Sequence, residues 1–179
     1  MVHMQKHTLV VITGHPGSGK TTLAKQLSEK YHIPFSSKDA IKEHIFDALG
    51  SQDKAWSLKV SAAAHRIMDD FVSQTLKAGG SIIVESNFKA DKDSERFSAL
   101  VREYNANCIQ ILCQADGEVL FARWNNRLAR GVRHEGHVEA ISLNQIKQDL
   151  AQPYPVLSLP GRLIQLDTTL TEAIALPEL

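Results

Sequence analysis

Cysteine is scarce in this chain, with two among 179 residues, and formal net charge is absent, twenty Lys and Arg offsetting twenty Asp and Glu. Two thiols are too few for a disulfide framework, so the fold must rest on a hydrophobic core. Both lie in one expected strand, at Cys108 and Cys113. Five positions apart they point to opposite faces and cannot readily pair; they read as small core residues of a reduced, cytoplasmic protein. Charge neutrality removes the global field that gathers nucleic acid or an anionic membrane, so any basic surface must be local. No apolar run approaches the ~20 residues that a membrane-spanning helix needs. The start, Met1 to His7, lacks the apolar core of a signal peptide. Repeats and low-complexity segments are missing too. The length suits one domain over residues 1–179.

What is present is an alternation of short apolar strands with helical patterns, the signature of a parallel α/β sheet with helices on both faces. Strands are expected at Thr8–Thr13, Ile33–Ser36, Ser81–Glu85, Asn107–Cys113 and Arg162–Leu166. Helices are expected from Thr22 towards Tyr31, over Asp39–Leu49 with Ile41, Ile45 and Leu49 inward, and over Asp53–Ala78. In the last, Trp56, Val60, Ala63, Ile67, Phe71 and Leu76 form the expected buried side. Further helices are expected over Asp93–Tyr104, from an Asp116 cap to Arg130, over Val138–Leu150, and in a short tail.

Gly14-His15-Pro16-Gly17-Ser18-Gly19-Lys20-Thr21 fits the phosphate-loop pattern G-x-x-x-x-G-K-[ST], followed by Thr22. It sits between a buried strand and a helix, which aims backbone N–H groups and a helix N-terminus at an anion. Glycine lets the backbone close around phosphate oxygens. Lys20 would reach the β- and γ-phosphates, and the Thr21 hydroxyl would ligate Mg²⁺. A nucleoside triphosphate is therefore the expected ligand.

Four other groups of residues follow. Asp39 opens a helix beyond the second strand, at the carboxyl edge where ligands gather, and could accept a proton from an attacking hydroxyl. Lys42, one turn on, could hold an anionic substrate; equally, Asp39 could serve the helix dipole and Lys42 be a solvated charge. Glu85 closes an Ile-Ile-Val strand, where a desolvated carboxylate asks for a cation or hydrogen bonds; beside a phosphate loop such an acid holds Mg²⁺ or positions a water. Asn87 could contact substrate or tolerate a turn. Arg123, Arg127 and Arg130 share one helical face, with Arg133 in the following loop, and could close as a lid over negative charge or merely complement the helix dipole. His134 and His137 have H-x-x-H spacing but no third ligand in view, which disfavours zinc.

Laid out in this order, the motifs resemble the small P-loop kinases. They are most similar to the broad group of predicted ATP-dependent kinases, AAA-type P-loop domains that include zeta toxins, chloramphenicol phosphotransferase and the bacteriophage polynucleotide kinase domain. Gly14–Thr22 resembles that group's G-x-P-G-S-G-K-[ST]-T, and Ser37–Lys42 its D-x-x-[RK] segment, where the Asp is the presumed base. Glu85–Phe88 occupies the place of its [DE]-x-[NT], Arg127–His137 looks like its arginine lid, and Asp167-Thr168-Thr169 resembles its D-T-[ST] near adenine. The resemblance implies a P-loop NTPase three-layer sandwich: a five-stranded parallel sheet, helices on both faces, an arginine-bearing lid at about 123–137. It implies ATP with Mg²⁺ as donor and a small-molecule hydroxyl as acceptor. Lys42 stands where the group more often has Arg, and Lys lacks the bidentate fork; with the neutral charge balance this argues against a phosphorylated or polynucleotide acceptor. A 5′-hydroxyl polynucleotide kinase and a nucleotide-dependent switch are the alternatives.

Overall fold

The computed structural model describes residues 7–131, 134, 136, 142–170 and 176–179. Its strands are β1 (Thr8–Gly14), β2 (Phe35–Ser37), β3 (Ile82–Glu85), β4 (Asn107–Gln114) and β5 (Arg162–Asp167), all parallel in the order β2-β3-β1-β4-β5. Between them run α1 (Lys20–Tyr31), α2 (Lys38–Leu49), α3 (Lys54–Lys77), α4 (Ala90–Glu103), α5 (Gly117–Ala129) and α6 (Leu143–Leu150).

The alternating side chains of β1 explain the three layers. Leu9 and Val11 point to one face, where Met68, Val72 and Leu76 of α3 and Phe97 and Val101 of α4 cover them. Val10 and Ile12 point to the other, against Leu23, Ala24 and Leu27 of α1. A central strand buried on both faces must be apolar throughout, as this one is. Cys108 joins the first cluster and Cys113 the second, so the thiols do face apart. A smaller core of Leu120, Trp124, Ile146 and Leu150 joins α5 to α6. Caps set the helix starts: Ser37 Oγ accepts from Ala40 N, Asp53 Oδ1 from Trp56 N, and Asp116 Oδ1 from Glu118 N and Val119 N. Among the described residues no helix is long and apolar enough to cross a membrane.

Three expectations need correction. In α2 the buried residues are Lys42 and Phe46, while Leu49 is 63% exposed. The α3 stripe is Ser57, Val60, Ala64, Met68, Val72 and Leu76; Ala63, Ile67 and Phe71 face outward. Both helices carry apolar residues on adjacent faces, so the bulkiest set misled: contact with the sheet and cavity chose the neighbouring stripe. The helix expected over Val138–Leu150 begins only at Leu143, because Ser142 has extended backbone and its Oγ accepts from Gln145 N as the cap. Positions 138–141 and 171–175, the latter in the tail where a short helix is expected, lie outside the described residues.

Candidate functional site

Every strand delivers its carboxyl end to one edge of the sheet, and the candidate residues converge there. Leaving β1, the chain turns through Gly14, Gly17 and Gly19 at φ of 144°, 86° and 80°. Gly14 is required by packing as well: a Cβ there would stand 2.2 Å from Cys113 O and 2.8 Å from Ser18 Oγ. The loop is braced from behind. Thr168 Oγ1 shares its proton between Ser18 O at 3.0 Å and Gln114 O at 2.9 Å. Arg123 donates to Gly17 O at 3.3 Å, Thr168 O at 2.8 Å and Thr169 O at 3.1 Å. Flanking the loop, His15 Nε2 lies 2.8 Å from Gln152 O, and the ring meets Tyr154 edge-on at 4.8 Å.

Lys20 is buried, and its Nζ donates to His15 O at 2.8 Å. Desolvation lowers its pKa, against the attraction of the Glu85 and Asp39 carboxylates. A cation held dry at a ring of backbone amides is prepared for phosphate, whose charge would offset that desolvation. At the next residue, Thr21 Oγ1 donates to Glu85 Oε1 at 3.1 Å, and Glu85 is only 4% exposed. The register explains the meeting: Glu85 pairs with Ile12 of β1 and Ser37 of β2, at the level where the loop begins. A hydroxyl and a carboxylate form a hard oxygen donor set that fits Mg²⁺. Among the described residues no cluster of three His, Cys, Asp or Glu side chains offers a different metal site.

A cavity of about 520 Å³ opens over these groups. The phosphate loop, Trp124 and Arg127 line one side; Asp39, Lys42, Glu43, Lys54, Ser57 and Leu58 of α2 and α3 line the other, with Glu85 and Asn87 between. Asp39 is half exposed and paired with Lys38 Nζ at 2.6 Å. Lys42, in contrast, is 8% exposed, and its Nζ donates to Ser57 Oγ at 2.9 Å and sits 5.4 Å from the Phe46 ring centroid. The expected lid divides. Arg127 lines the cavity, Arg123 is anchored behind the phosphate loop, and Arg130 caps α5 in solvent away from the lining. Arg133 and His137 lie outside the described residues. His134, in the loop beyond α5, packs against α2: it stacks on Phe46 at 5.7 Å, with Nε2 3.0 Å from Asp47 Oδ1.

A family model described as AAA domain (AAA_33) matches residues 9–153. The chain belongs to that AAA domain family. No curated protein matches this AAA domain. A crystal structure of a candidate kinase from Chloroflexus aurantiacus J-10-fl is 40% identical, with 96% of this chain and 94% of that one aligned at a TM-score of 0.89. A sugar kinase from Janibacter sp. HTCC2649, solved unliganded, shares 21% identity over 91% and 86% of the chains at 0.53. The APS kinase of Mycobacterium tuberculosis, solved with AMPPNP and APS, shares 14% over 89% and 88% at 0.59. The last two likenesses concern the fold. The AAA domain is thus a kinase-like P-loop domain with a nucleotide-binding loop.

Sequence reasoning did not single out Lys38, Glu43, Lys54, Ser57, Leu58 or Trp124 as site residues. Ser57 carried no usable signal, since serine is common on helix surfaces. Trp124 belongs to the small core with Leu120, Ile146 and Leu150 as well as lining the cavity.

Proposed function

We propose that this AAA domain is a phosphotransferase, a kinase that moves the γ-phosphate of ATP to a hydroxyl of a small molecule. One observation carries the reading: a single cavity joins Lys20 and the Thr21–Glu85 pair on one side to Asp39 and Lys42 on the other. A switch needs the first set; a carboxylate facing the phosphate loop across a cavity suits an acceptor.

Gly14, His15, Pro16, Gly17, Ser18, Gly19 and Thr22 form the cradle and helix start, with backbone amides for the phosphates. Thr21 and Glu85 hold Mg²⁺. When bound, the metal neutralises charge on the phosphate oxygens. Asp39 accepts the hydroxyl proton as the acceptor oxygen bonds to the γ-phosphorus and the bond to the leaving ADP oxygen breaks. Lys38, 2.6 Å away, fixes one oxygen of that carboxylate. Lys20 and Arg127 stabilise the equatorial oxygens. Arg123 keeps the loop in place, and Arg130 is left at the helix end. Lys42 and Asn87 orient the acceptor. Buried thiols and the need for ATP suit a cytoplasmic protein.

The test is transfer of label from γ-labelled ATP to sugars, nucleosides, antibiotics of the aminoglycoside and phenicol types, and 5′-hydroxyl oligonucleotides, with Lys20→Ala as blank. The expected result is one labelled small molecule, with Asp39→Asn lowering kcat by about 10²–10⁴. Labelling of oligonucleotide ends alone selects the polynucleotide reading. Tight ATP binding with no transfer to any acceptor, or wild-type transfer by Asp39→Asn, overturns the proposal.

A further inference from the structure

A buried ammonium on a helix has a flexible four-carbon stem, so something must fix where it points. Lys42 Nζ donates to Ser57 Oγ at 2.9 Å, and Ser57 Oγ in turn donates to Gly136 O at 3.3 Å. The relay crosses three separate stretches of chain: α2, α3, and the loop beyond α5. Gly136 reaches Ser57 because it lies flat on Phe46. A Cβ on Gly136 would stand 2.2 Å from Phe46 Cδ2 and 2.5 Å from Cε2 and Cγ, inside the ring's own volume, and that ring is itself buried. His134 completes the clasp. Its ring is stacked on Phe46 at an interplanar angle of 15°. Its Nδ1 accepts the Gly136 N–H at 3.0 Å, and Nε2 faces Asp47 Oδ1 at 3.0 Å. Those partners require the neutral ring with its proton on Nε2.

We propose that Gly136 and Ser57 are positioning residues that set Lys42 at the acceptor end of the cavity, and that seating of His134 and Gly136 on Phe46 completes the acceptor site. The word acceptor rests on the kinase reading above. The chain of contacts gives Ser57 a role that burial alone does not: it accepts from the lysine and donates to the loop, so displacing Gly136 frees the hydroxyl to rotate and releases the ammonium. The two hydrogen bonds of the relay join α2, α3 and Gly136 and involve no phosphate-loop residue. Nucleotide binding and acceptor binding are therefore separable by mutation on the α2–α3 side.

The test reads Lys42 directly, through the ¹⁵N-edited NMR signal of its ammonium, in wild type, Gly136→Ala, His134→Ala, Ser57→Ala and Ser57→Thr. Binding of Mg²⁺ with AMPPNP is measured alongside by calorimetry. A protected Lys42 signal is expected in wild type and Ser57→Thr, and its loss in the other three, with AMPPNP affinity held within about twofold in all. Once an acceptor is labelled, Ser57→Ala raises its KM roughly tenfold with kcat retained, and Ser57→Thr restores it. His134→Ala undoes the seating without inserting an atom, so it decides the matter even where Gly136→Ala fails to fold. A wild-type Lys42 signal in His134→Ala and Gly136→Ala overturns the proposal, as does an unchanged acceptor KM in Ser57→Ala. Failure of the kinase reading looks different: no acceptor is labelled, while the ammonium signal still reports on the relay.

Discussion

Replacing Thr21 by valine removes one hydroxyl from the cavity while keeping the side chain's shape. Glu85 Oε1 loses the proton it accepts at 3.1 Å, and at 4% exposure bulk water cannot replace it. Stranding a buried acceptor costs about 1–3 kcal/mol. The attraction between Lys20 and Glu85 persists in the variant and offsets part of that, which favours the lower half of the range. At roughly 2–4 °C per kcal/mol for a domain of this size, Tm should fall by about 2–8 °C. Scanning calorimetry on Thr21→Val and Thr21→Ser measures it, the serine retaining the hydroxyl and most of the stability. A second effect is independent of the first. With one metal-holding oxygen gone, Thr21→Val should need about tenfold more Mg²⁺ for AMPPNP binding, read by titration at fixed analogue. A valine variant that melts with wild type refutes the buried hydrogen bond. One that keeps the wild-type Mg²⁺ dependence refutes the metal site.

Gly14→Ala places a Cβ 2.2 Å from Cys113 O in a backbone conformation of φ 144°, and should cost at least about 2–3 kcal/mol in a denaturant titration; a wild-type midpoint would contradict the packing. Burial pushes the thiols of Cys108 and Cys113 up to about 11 and about 12 from 9.0. The folded form thus retains thiol protons that the unfolded form gives up, so their contribution to stability is complete below pH 9 and is lost as pH rises towards 11–12. Iodoacetamide at pH 8 should label neither residue without denaturant; rapid labelling would show them accessible. Trp124 lines the cavity beside the phosphate loop, so AMPPNP should change the protein's fluorescence, and Trp124→Phe should abolish the change, because Trp56 is turned towards Gly50 O instead.

Much of the site was legible because its parts are short and local. The phosphate loop follows from eight consecutive residues, and Glu85 from its place at the end of an apolar strand. Fold class follows from the alternation of strand and helix. The inward face of α3 was not legible: Ala63, Ile67 and Phe71 are as apolar as Ala64, Met68 and Val72, and only the partners across the interface choose between them. The Ser57–Gly136 contact spans 79 positions, beyond any local pattern. Arg123 was visible as part of an arginine series, but its acceptors are backbone carbonyls of Gly17, Thr168 and Thr169, which every residue possesses and no sequence marks.

The brace on the phosphate loop has a consequence for synthesis. The carbonyl of Ser18 is held by the hydroxyl of Thr168, which follows it by 150 positions in the chain. The loop therefore emerges long before its support exists. Until Thr168 has been made, the loop lacks that one brace. The brace is complete only when β5 takes its place beside β4 and Thr168 reaches the back of the loop. Chains halted before that point carry the motif without this support.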